Sequence, residues 1–246
     1  MRRGRLAGHP YGSGVKLGFL SDAHGNPDGL VAALEALHAA NVAAIYFLGD
    51  AVGYLPGEAE VLAELDAVGA TALSGNHEAM LLGREPLDPT RDEVYRLGEV
   101  AARLPHVERD RIATWPAQRD LQVGDVKLLL VHGSPWEPLT GYVYPDGDLA
   151  RFASLPYDVV LCGHTHRPFQ RRVGSVEVVN VGSCGMPRDV GDLASYAIFD
   201  TESRVAAIGR VRFDAERVIA RYAPRLHPSV IACLRRRPPD IIAPEG

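Results

Sequence analysis

The chain has 246 residues, 46% hydrophobic and 23% charged, which is enough to bury a substantial core as one globular domain. Its net charge of −5 and pI near 6.0 argue against bulk attraction to nucleic acid or to an anionic membrane, so a small partner is expected. Three widely spaced cysteines without a Cys-x-x-Cys pair indicate a reducing compartment and exclude a thiolate zinc site.

The N-terminal segment 1–14 is basic and rich in glycine, and it lacks the apolar stretch of a secretory signal. We expect it to be a disordered tail. No apolar run approaches the ~18 to 20 residues of a membrane span. These features predict a cytoplasmic protein that does not associate with membranes.

Apolar runs alternate with helical patterns in the first third of the chain. Residues 15–20, 43–48 and 71–73 predict three strands. Asn26 followed by Pro27 predicts the cap and first turn of a helix, and residues 56–68 predict a second one. This alternation favours an α/β architecture that begins with parallel strands.

The remaining segments predict a helical insertion followed by a largely β region. Residues 81–116 are charged and punctuated by prolines, and we expect one or two helices over the rim of the sheet. Residues 120–123 and 126–131 predict a hairpin, and 134–156 a long surface loop. Further strands are expected at 158–162, 169–173, 176–181, 195–199 and 205–213. After a short helix over 214–222, we place the end of the domain at 230 and a loosely ordered tail over 231–246.

Short polar motifs follow the strands, each at the point where an apolar run ends. Because ligand sites in such sheets lie outside the carboxyl ends of the strands, the motifs are expected to converge. A single member would more often be a helix cap, a turn former or a solvent-facing loop residue, but five motifs in series argue against coincidence. They supply seven candidate metal ligands: Asp22, His24, Asp50, Asn76, His132, His164 and His166.

The candidate ligands are two carboxylates, one amide and four imidazoles. This mixture suits a divalent transition ion such as Mn, Fe, Zn, Ni or Co. Seven ligands are too many for one ion that keeps an open position. They match two ions about 3.5 to 4 Å apart that share one carboxylate, and Asp50 is the candidate for that bridge.

The motif series resembles that of the calcineurin-like metallophosphoesterase superfamily, over about residues 15–213. The resemblance rests on Asp22-x-His24, Gly49-Asp50-x-x-Gly53, Gly75-Asn76-His77-Glu78, His132-Gly133 and Gly163-His164-x-His166. It implies an α/β fold, a four-layer α-β-β-α sandwich of two mixed sheets flanked by helices. It also implies two ligand sets, one of Asp22, His24, Asp50 and His166 and the other of Asp50, Asn76, His132 and His164.

The chain is similar in part to the small bacterial phosphodiesterase branch of this superfamily. Residues 180–183 and 187–189 match the Asn-Pro-Gly-Ser and Pro-Arg stretches of that branch, with Val181 in place of proline. In the protein-phosphatase and dinucleoside-tetraphosphatase branches, an Asp that orients the catalytic histidine and an Arg that grips phosphate follow the Gly-Asp motif. Gly53 and Tyr54 hold these positions here. Many small phosphodiesterases carry Cys where this chain has His77, so the sequence lies between branches.

The resemblance implies a phosphoesterase that uses a metal-bridging hydroxide for in-line attack, with phosphodiesters as the expected substrates. His77, beside Asn76, is the candidate that protonates or electrostatically stabilises the leaving oxygen. Phosphomonoesters, phosphoproteins and dinucleoside polyphosphates are competing substrates. The alternative of another class is a catalytically weak protein-binding scaffold of the same fold, and the intact ligand set favours the enzyme. The oligomeric state and the native metal stay open.

Overall fold

The structure is a computed structural model that describes residues 14–237. Ten strands are present in this part of the chain. In chain order they are β1 (Lys16–Leu20), β2 (Ala44–Phe47), β3 (Thr71–Ala72), β4 (Gln118–Val123), β5 (Val126–Val131), β6 (Val159–Cys162), β7 (Phe169–Val173), β8 (Val176–Asn180), β9 (Leu193–Asp200) and β10 (Val205–Arg212).

The strands form two five-stranded sheets, with the orders β10-β9-β1-β2-β3 and β4-β5-β6-β8-β7. In the first sheet β1, β2 and β3 are parallel, β9 is antiparallel to β1, and β10 is antiparallel to β9. In the second sheet β5, β6 and β8 are parallel, and the edge strands β4 and β7 are antiparallel. Both sheets are therefore mixed: the parallel strands extend from the centre to one edge in the first sheet and form the centre of the second.

The helices of the described chain are mostly short. They are α1 (Pro27–Ala39), α2 (Glu58–Ala67), α3 (Asn76–Leu81), α4 (Pro89–Tyr95), α5 (Leu97–Arg103), α6 (His106–Ala113), α7 (Ala215–Tyr222) and α8 (Pro228–Leu234), with 3-10 turns at Ala150–Ser154 and Ala223–Arg225. As the sequence predicts, Asn26 caps α1 by accepting from the Gly29 backbone N–H, and Pro27 occupies the first turn. Among residues 14–237, none of the helices combines the length and the apolar composition that a membrane span requires.

The sheets pack face to face through the side chains that alternate along each strand. Leu17 and Phe19 of β1 lie in the cluster between the sheets, together with Leu128 and Leu130 of β5. The intervening Leu129 of β5 faces the opposite side and belongs to a separate cluster. Strand β5 is thus buried on both faces, which explains its continuous apolar run.

Helices α1, α2, α7 and α8 cover the outer face of the first sheet in the largest apolar cluster. The outer face of the second sheet is covered by the segment 134–156, whose 3-10 turn buries Phe152, with Val143 and Leu149 beside it. The prediction of two mixed sheets flanked by helices is confirmed. The segment 134–156, expected to be a surface loop, therefore also forms a packing layer.

The structure differs from the predicted one in two segments. The helical region predicted over 81–116 contains α4, α5 and α6, three helices in place of the one or two expected. The loosely ordered tail predicted over 231–246 is wrong for its first residues, because α8 continues to Leu234 and buries Val230 and Cys233 as well. The prolines and arginines of residues 231–246 are typical of a loosely ordered tail, so the sequence pattern does not indicate this apolar face. The tail beyond residue 237, and the N-terminal tail up to residue 13, lie outside the described residues.

Candidate metal centre

The seven candidate ligands lie directly after the carboxyl ends of five strands. The first sheet supplies Asp22 and His24 after β1, Asp50 after β2 and Asn76 after β3. The second sheet supplies His132 after β5, and His164 and His166 after β6. The structure brings all seven together at one edge of the sandwich, as expected for the ends of parallel strands.

One cluster of donor atoms consists of Asp22, His24 and His166. The Nε2 atoms of His24 and His166 are 3.0 Å apart, and Asp22 Oδ1 lies 3.2 Å from the His166 Nε2 and 3.6 Å from that of His24. All three residues are buried. Asp22 Oδ1 has no hydrogen-bond partner among the described residues.

A second cluster consists of Asp50, His132 and His164. His132 Nε2 lies 3.1 Å from His164 Nδ1, 3.3 Å from Asp50 Oδ2 and 3.0 Å from the amide oxygen of Asn76. Asp50 Oδ2 is also 3.6 Å from His24 Nε2 in the first cluster. Asp50 therefore stands between the two groups, the position that a bridging carboxylate requires.

The hydrogen bonds of the imidazoles show what these clusters fit. The Nδ1 atoms of His24, His132 and His166 face the backbone oxygens of residues 52, 48 and 186 at 3.2, 2.9 and 2.7 Å. Each Nδ1 must carry the proton in order to donate, which leaves a lone pair on each Nε2. Lone pairs that face one another and a carboxylate repel, unless a cation lies between them. Donor atoms about 3 Å apart also match the edges of a coordination shell with ~2 Å bonds, so a divalent metal fits this donor set.

The charges within the centre shift the pKa values of its members in opposite directions. Burial opposes ionisation of Asp22 and Asp50, but the neighbouring imidazoles outweigh it and hold both carboxyl pKa values below their usual range. Burial likewise opposes protonation of His132, yet the carboxylates of Asp50 and Asp22 raise its pKa to about 9. Burial lowers the pKa of His166 to about 4. Ionised carboxylates and a neutral His166 are the protonation states that metal binding needs, whereas His132 must release its proton when a metal binds.

The backbone at the centre is strained. Five candidate ligands have φ between 48° and 66°, in the left-handed region: Asp22, His24, Asp50, His164 and His166. Non-glycine residues avoid this region, and such strain concentrates at functional sites. The positive φ after β6 lies at His164 itself and not at the preceding Gly163. Gly163 is needed for space, because a Cβ there would lie 2.2 Å from Ser21 Oγ.

Glu78 holds the Asp50 loop in place. Its buried carboxylate accepts from the backbone N–H groups of Asp50, Ala51 and Gly75 at 2.7 to 2.8 Å. Burial, followed by the charge of Asp50, raises the pKa of Glu78 to about 7. Glu78 belongs to the Gly75-Asn76-His77-Glu78 motif, but no role was predicted for it. Its place three residues after the Gly75 cap of α3, where a glutamate can accept from the backbone N–H of the cap residue, is the signal that identifies it.

His77 lies beside the candidate ligands and is enclosed by aromatic rings. Its Nε2 is 4.0 Å from Asp50 Oδ2, and it forms a third donor cluster with His24 and Asp50. The Tyr54 ring stacks on it at 5.0 Å between centroids, and Tyr95 lies at 4.6 Å. Burial lowers the pKa of His77 to about 3.

The usual carboxylate partner of such a histidine is missing. His77 Nδ1 has no hydrogen-bond partner among residues 14–237, and a Cβ on Gly53 would lie 2.4 Å from it. Packing against Tyr54 and Tyr95 orients the ring instead. Tyr95 is the last residue of α4 and lies outside the sequence motifs, so it was not predicted to contact His77.

Arg188 and Tyr142 complete the surroundings of the centre. Arg188 is half-buried, and among the described residues its guanidinium hydrogen-bonds only the Tyr54 hydroxyl, at 3.4 Å, and pairs with no carboxylate. Tyr142 packs on the ring of His164 with centroids 4.3 Å apart. Arg188 lies in the Pro-Arg stretch noted in the sequence, whereas nothing in the sequence distinguished Tyr142.

Comparison with known proteins identifies the relatives of this chain. A family model described as the calcineurin-like phosphoesterase superfamily domain matches residues 15–204. An uncharacterized protein of Methanocaldococcus jannaschii is 27% identical over 224 residues, which cover 80% of this chain and 88% of that protein.

Two solved structures resemble the fold closely. A metallophosphoesterase from Sphaerobacter thermophilus has a TM-score of 0.76 at 26% identity, and a hypothetical protein from Pyrococcus horikoshii has a TM-score of 0.80 at 21% identity. Each alignment covers 90% of this chain and 98% of the other chain. The resemblance therefore includes the helices and both sheets.

Proposed function

Because the chain belongs to the calcineurin-like phosphoesterase superfamily, we propose that it is a metal-dependent hydrolase of phosphodiesters that uses two divalent ions. The observation that carries this proposal is the pair of buried donor clusters with Asp50 between them. A scaffold that binds proteins through its surface has no need for imidazole lone pairs that face carboxylates in a dry site.

Each residue of the centre has a proposed part. Asp22, His24 and His166 hold one ion, Asn76, His132 and His164 hold the other, and Asp50 is shared. Bound ions would supply positive charge for the phosphate oxygens and activate a water for in-line displacement. His77 faces the same space. With its pKa lowered to about 3 it is neutral near pH 7 and would donate a hydrogen bond to the leaving oxygen, and it would donate a proton only if bound substrate raises that pKa. Glu78 fixes the loop that presents Asp50.

The preference for diesters follows from the charge around the centre. Tyr54 occupies the position of the phosphate-gripping Arg of other branches, and Arg188 contacts its hydroxyl. Arg188 is therefore the cation available to a phosphate oxygen on this side of the site. A diester has one negative charge, whereas a monoester has close to two at neutral pH, and we infer that the single arginine beside Tyr54 suits the charge of the diester.

The test is hydrolysis of bis-p-nitrophenyl phosphate and p-nitrophenyl phosphate by metal-stripped protein, with Mn²⁺, Ni²⁺, Zn²⁺ or Mg²⁺ added back. We expect metal-dependent turnover of the diester in preference to the monoester. Asp50→Asn is the matched variant. The amide keeps the size of the side chain and an oxygen that accepts from the His77 backbone N–H, but it lacks the negative charge that would be shared by the two ions. Its turnover should fall by at least ~10²-fold, with binding of fewer metal ions.

Two results would contradict the proposal. Faster turnover of the monoester would assign the protein to the phosphatases of the superfamily. Metal binding without cleavage of either ester would instead favour a protein-binding scaffold.

A further inference from the structure

Exposed aromatic side chains lie beside the metal centre, on the segment that covers the second sheet. Tyr142 packs on His164, yet 56% of its surface is exposed. Tyr144 is 37% exposed and is parallel to Tyr142, with an interplanar angle of 1° and centroids 5.5 Å apart. We call these two residues the tyrosine platform. Because the fold gains little from rings left in water, their exposure next to a reaction centre indicates contact with a ligand.

An open cavity of about 360 Å³ adjoins the platform, lined by Tyr144, Asp146, Thr165, Arg167 and Arg188. Thr165 separates His164 and His166 in the chain, and the Arg188 backbone N–H donates to the His166 carbonyl, so the cavity borders the metal centre. The cavity is therefore lined by two guanidinium groups, one carboxylate, one hydroxyl and an aromatic ring.

We propose that the tyrosine platform and this cavity bind the nucleoside part of a small nucleoside phosphodiester, with the base stacked on Tyr144. This inference rests on the phosphodiesterase activity proposed above and defines its substrate class. The base provides a planar face for the platform. Arg188, between the cavity and Tyr54, holds a phosphate oxygen of the ester bond positioned at the metal centre.

The mixture of groups favours a nucleoside over other organic substituents. An alkyl chain or a polyol has no planar face to stack on a tyrosine ring. A simple aryl group offers no donor to the exposed Asp146 carboxylate, whereas ribose hydroxyls and base N–H groups can donate to it in place of water. The net charge of −5 disfavours a long nucleic acid, since extended phosphate backbones need many cationic contacts.

The experiment compares two diesters that release the same p-nitrophenolate: thymidine 5′-(p-nitrophenyl phosphate) and methyl p-nitrophenyl phosphate. With the metal-loaded protein, the ratio of their kcat/KM values isolates the contribution of the nucleoside. We expect the ratio to favour the nucleoside ester by about tenfold or more, in line with stacking of one base on an aromatic side chain.

Substitutions then locate that contribution. Tyr144→Leu removes the ring and should lower the ratio about tenfold, whereas Tyr144→Phe keeps the ring and should retain the ratio. Tyr157→Leu is the matched control, because Tyr157 contacts Asp120 on the hairpin and lies away from the cavity. Its ratio should equal that of the wild type. A ratio near one in the wild type, or equal ratios in all the variants, would overturn the tyrosine platform while leaving the phosphodiesterase intact.

A binding measurement keeps the inference testable if neither ester is cleaved. Calorimetric titration with thymidine 5′-monophosphate and with 2-deoxyribose 5-phosphate compares ligands that share the sugar and phosphate and differ in the base. Tighter binding of the nucleotide by about tenfold, lost in Tyr144→Leu but not in Tyr157→Leu, would support the nucleoside site although the proposed hydrolysis had failed. Equal affinities would overturn the nucleoside site independently of any activity.

Discussion

The backbone conformation of the candidate ligands has an energetic consequence at the scale of single residues. Each left-handed non-glycine residue costs of the order of 1–3 kcal/mol, and five of the seven candidates are in this region. Asp22 and Asp50 tolerate it better than the three histidines do, because short polar side chains form local hydrogen bonds there. The surrounding structure must therefore hold these loops against a local preference for other conformations.

Glu78 supplies that support to the loop of Asp50, which makes it a positioning residue. Glu78→Gln replaces one acceptor oxygen by an NH₂ group that meets backbone N–H donors, so at least one donor is left unsatisfied in a buried place. We expect stability to fall by ~1–3 kcal/mol and metal affinity to fall ~10- to 100-fold. Urea unfolding of the metal-free protein and competitive titration with a chelator measure the two effects.

The matched control for Glu78 is Glu58, another buried glutamate, which pairs with Arg103 away from the metal centre. Glu58→Gln should lower the free energy of unfolding without a change in metal affinity. If both variants lose the same metal affinity, Glu78 acts through global stability alone and its positioning role is wrong.

His77→Ala distinguishes the parts that His77 could take. If His77 donates a proton, its removal should lower kcat by ~10²- to 10⁴-fold. The loss should be smaller for diesters with a good leaving group such as p-nitrophenolate. The check is kcat for a series of aryl and alkyl esters, together with metal content. Equal losses for every leaving group would argue against proton donation. Loss of one metal ion would instead make His77 a ligand, as its cluster with His24 and Asp50 allows.

The sequence predicts the ligands better than their neighbours for a physical reason. A ligand directly after a strand can be identified from the local pattern, because parallel strands end at one edge. Tyr95 and Arg188 reach the same centre from α4 and from the segment before β9, and only tertiary packing decides that they meet. The need for glycine at position 163 is likewise set by tertiary packing, because a Cβ there would meet Ser21, which follows another strand.

At the scale of elements, the strands and α1 were predicted because apolar periodicity and the Asn26 cap are local signals. Helix α8 was missed because Pro228 and the following arginines indicate a tail, whereas its burial depends on contacts distant in the chain. Cys233 Sγ lies 3.4 Å from the Pro187 carbonyl, and the Arg236 side chain donates to the Arg188 carbonyl at 2.6 Å. The C-terminal segment thus supports the segment that presents Arg188.

Leu234→Ala tests the contribution of α8. Leu234 is fully buried in the apolar cluster formed by the helices that cover the first sheet. Its truncation should therefore lower the free energy of unfolding by ~2–5 kcal/mol. Val107→Ala, at a side chain 69% exposed on α6, is the control and should change stability by less than ~0.5 kcal/mol. Urea unfolding of both variants measures the difference. A Leu234→Ala protein as stable as the control would mean that the tail is loosely ordered after all.

At the scale of the whole molecule, the candidate centre joins the two sheets. Four candidate ligands follow strands of the first sheet and three follow strands of the second. The sequence predicted the strands but not which sheet each would join, because sheet order depends on pairings between distant segments. A metal bound there crosslinks the sandwich, so metal binding contributes to the free energy of unfolding.

Without metal, the stability of the molecule should pass through a maximum near pH 6.5. Burial lowers the pKa of His77 and His164 to about 3 and of His166 to about 4, below the 6.5 of the unfolded chain. Their stabilising contribution is complete above pH 6.5 and is lost as the pH falls toward 4. His132 and Glu78 have raised pKa values of about 9 and 7, so their contributions are lost as the pH rises through those values.

The measurement is urea unfolding of the metal-free protein between pH 4.5 and pH 9. Each neutral histidine should contribute a slope of ~1.4 kcal/mol per pH unit on the acid side. His164→Gln removes one of these protons and should lower the slope by ~1.4 kcal/mol per pH unit. His106→Gln, at an exposed position on α6, should leave the slope unchanged. Stability that rises from pH 6.5 to pH 5 would mean that the imidazoles are protonated in the folded protein. A protonated His164 or His166 offers no lone pair to a metal, so the same result would argue against these two residues as neutral ligands.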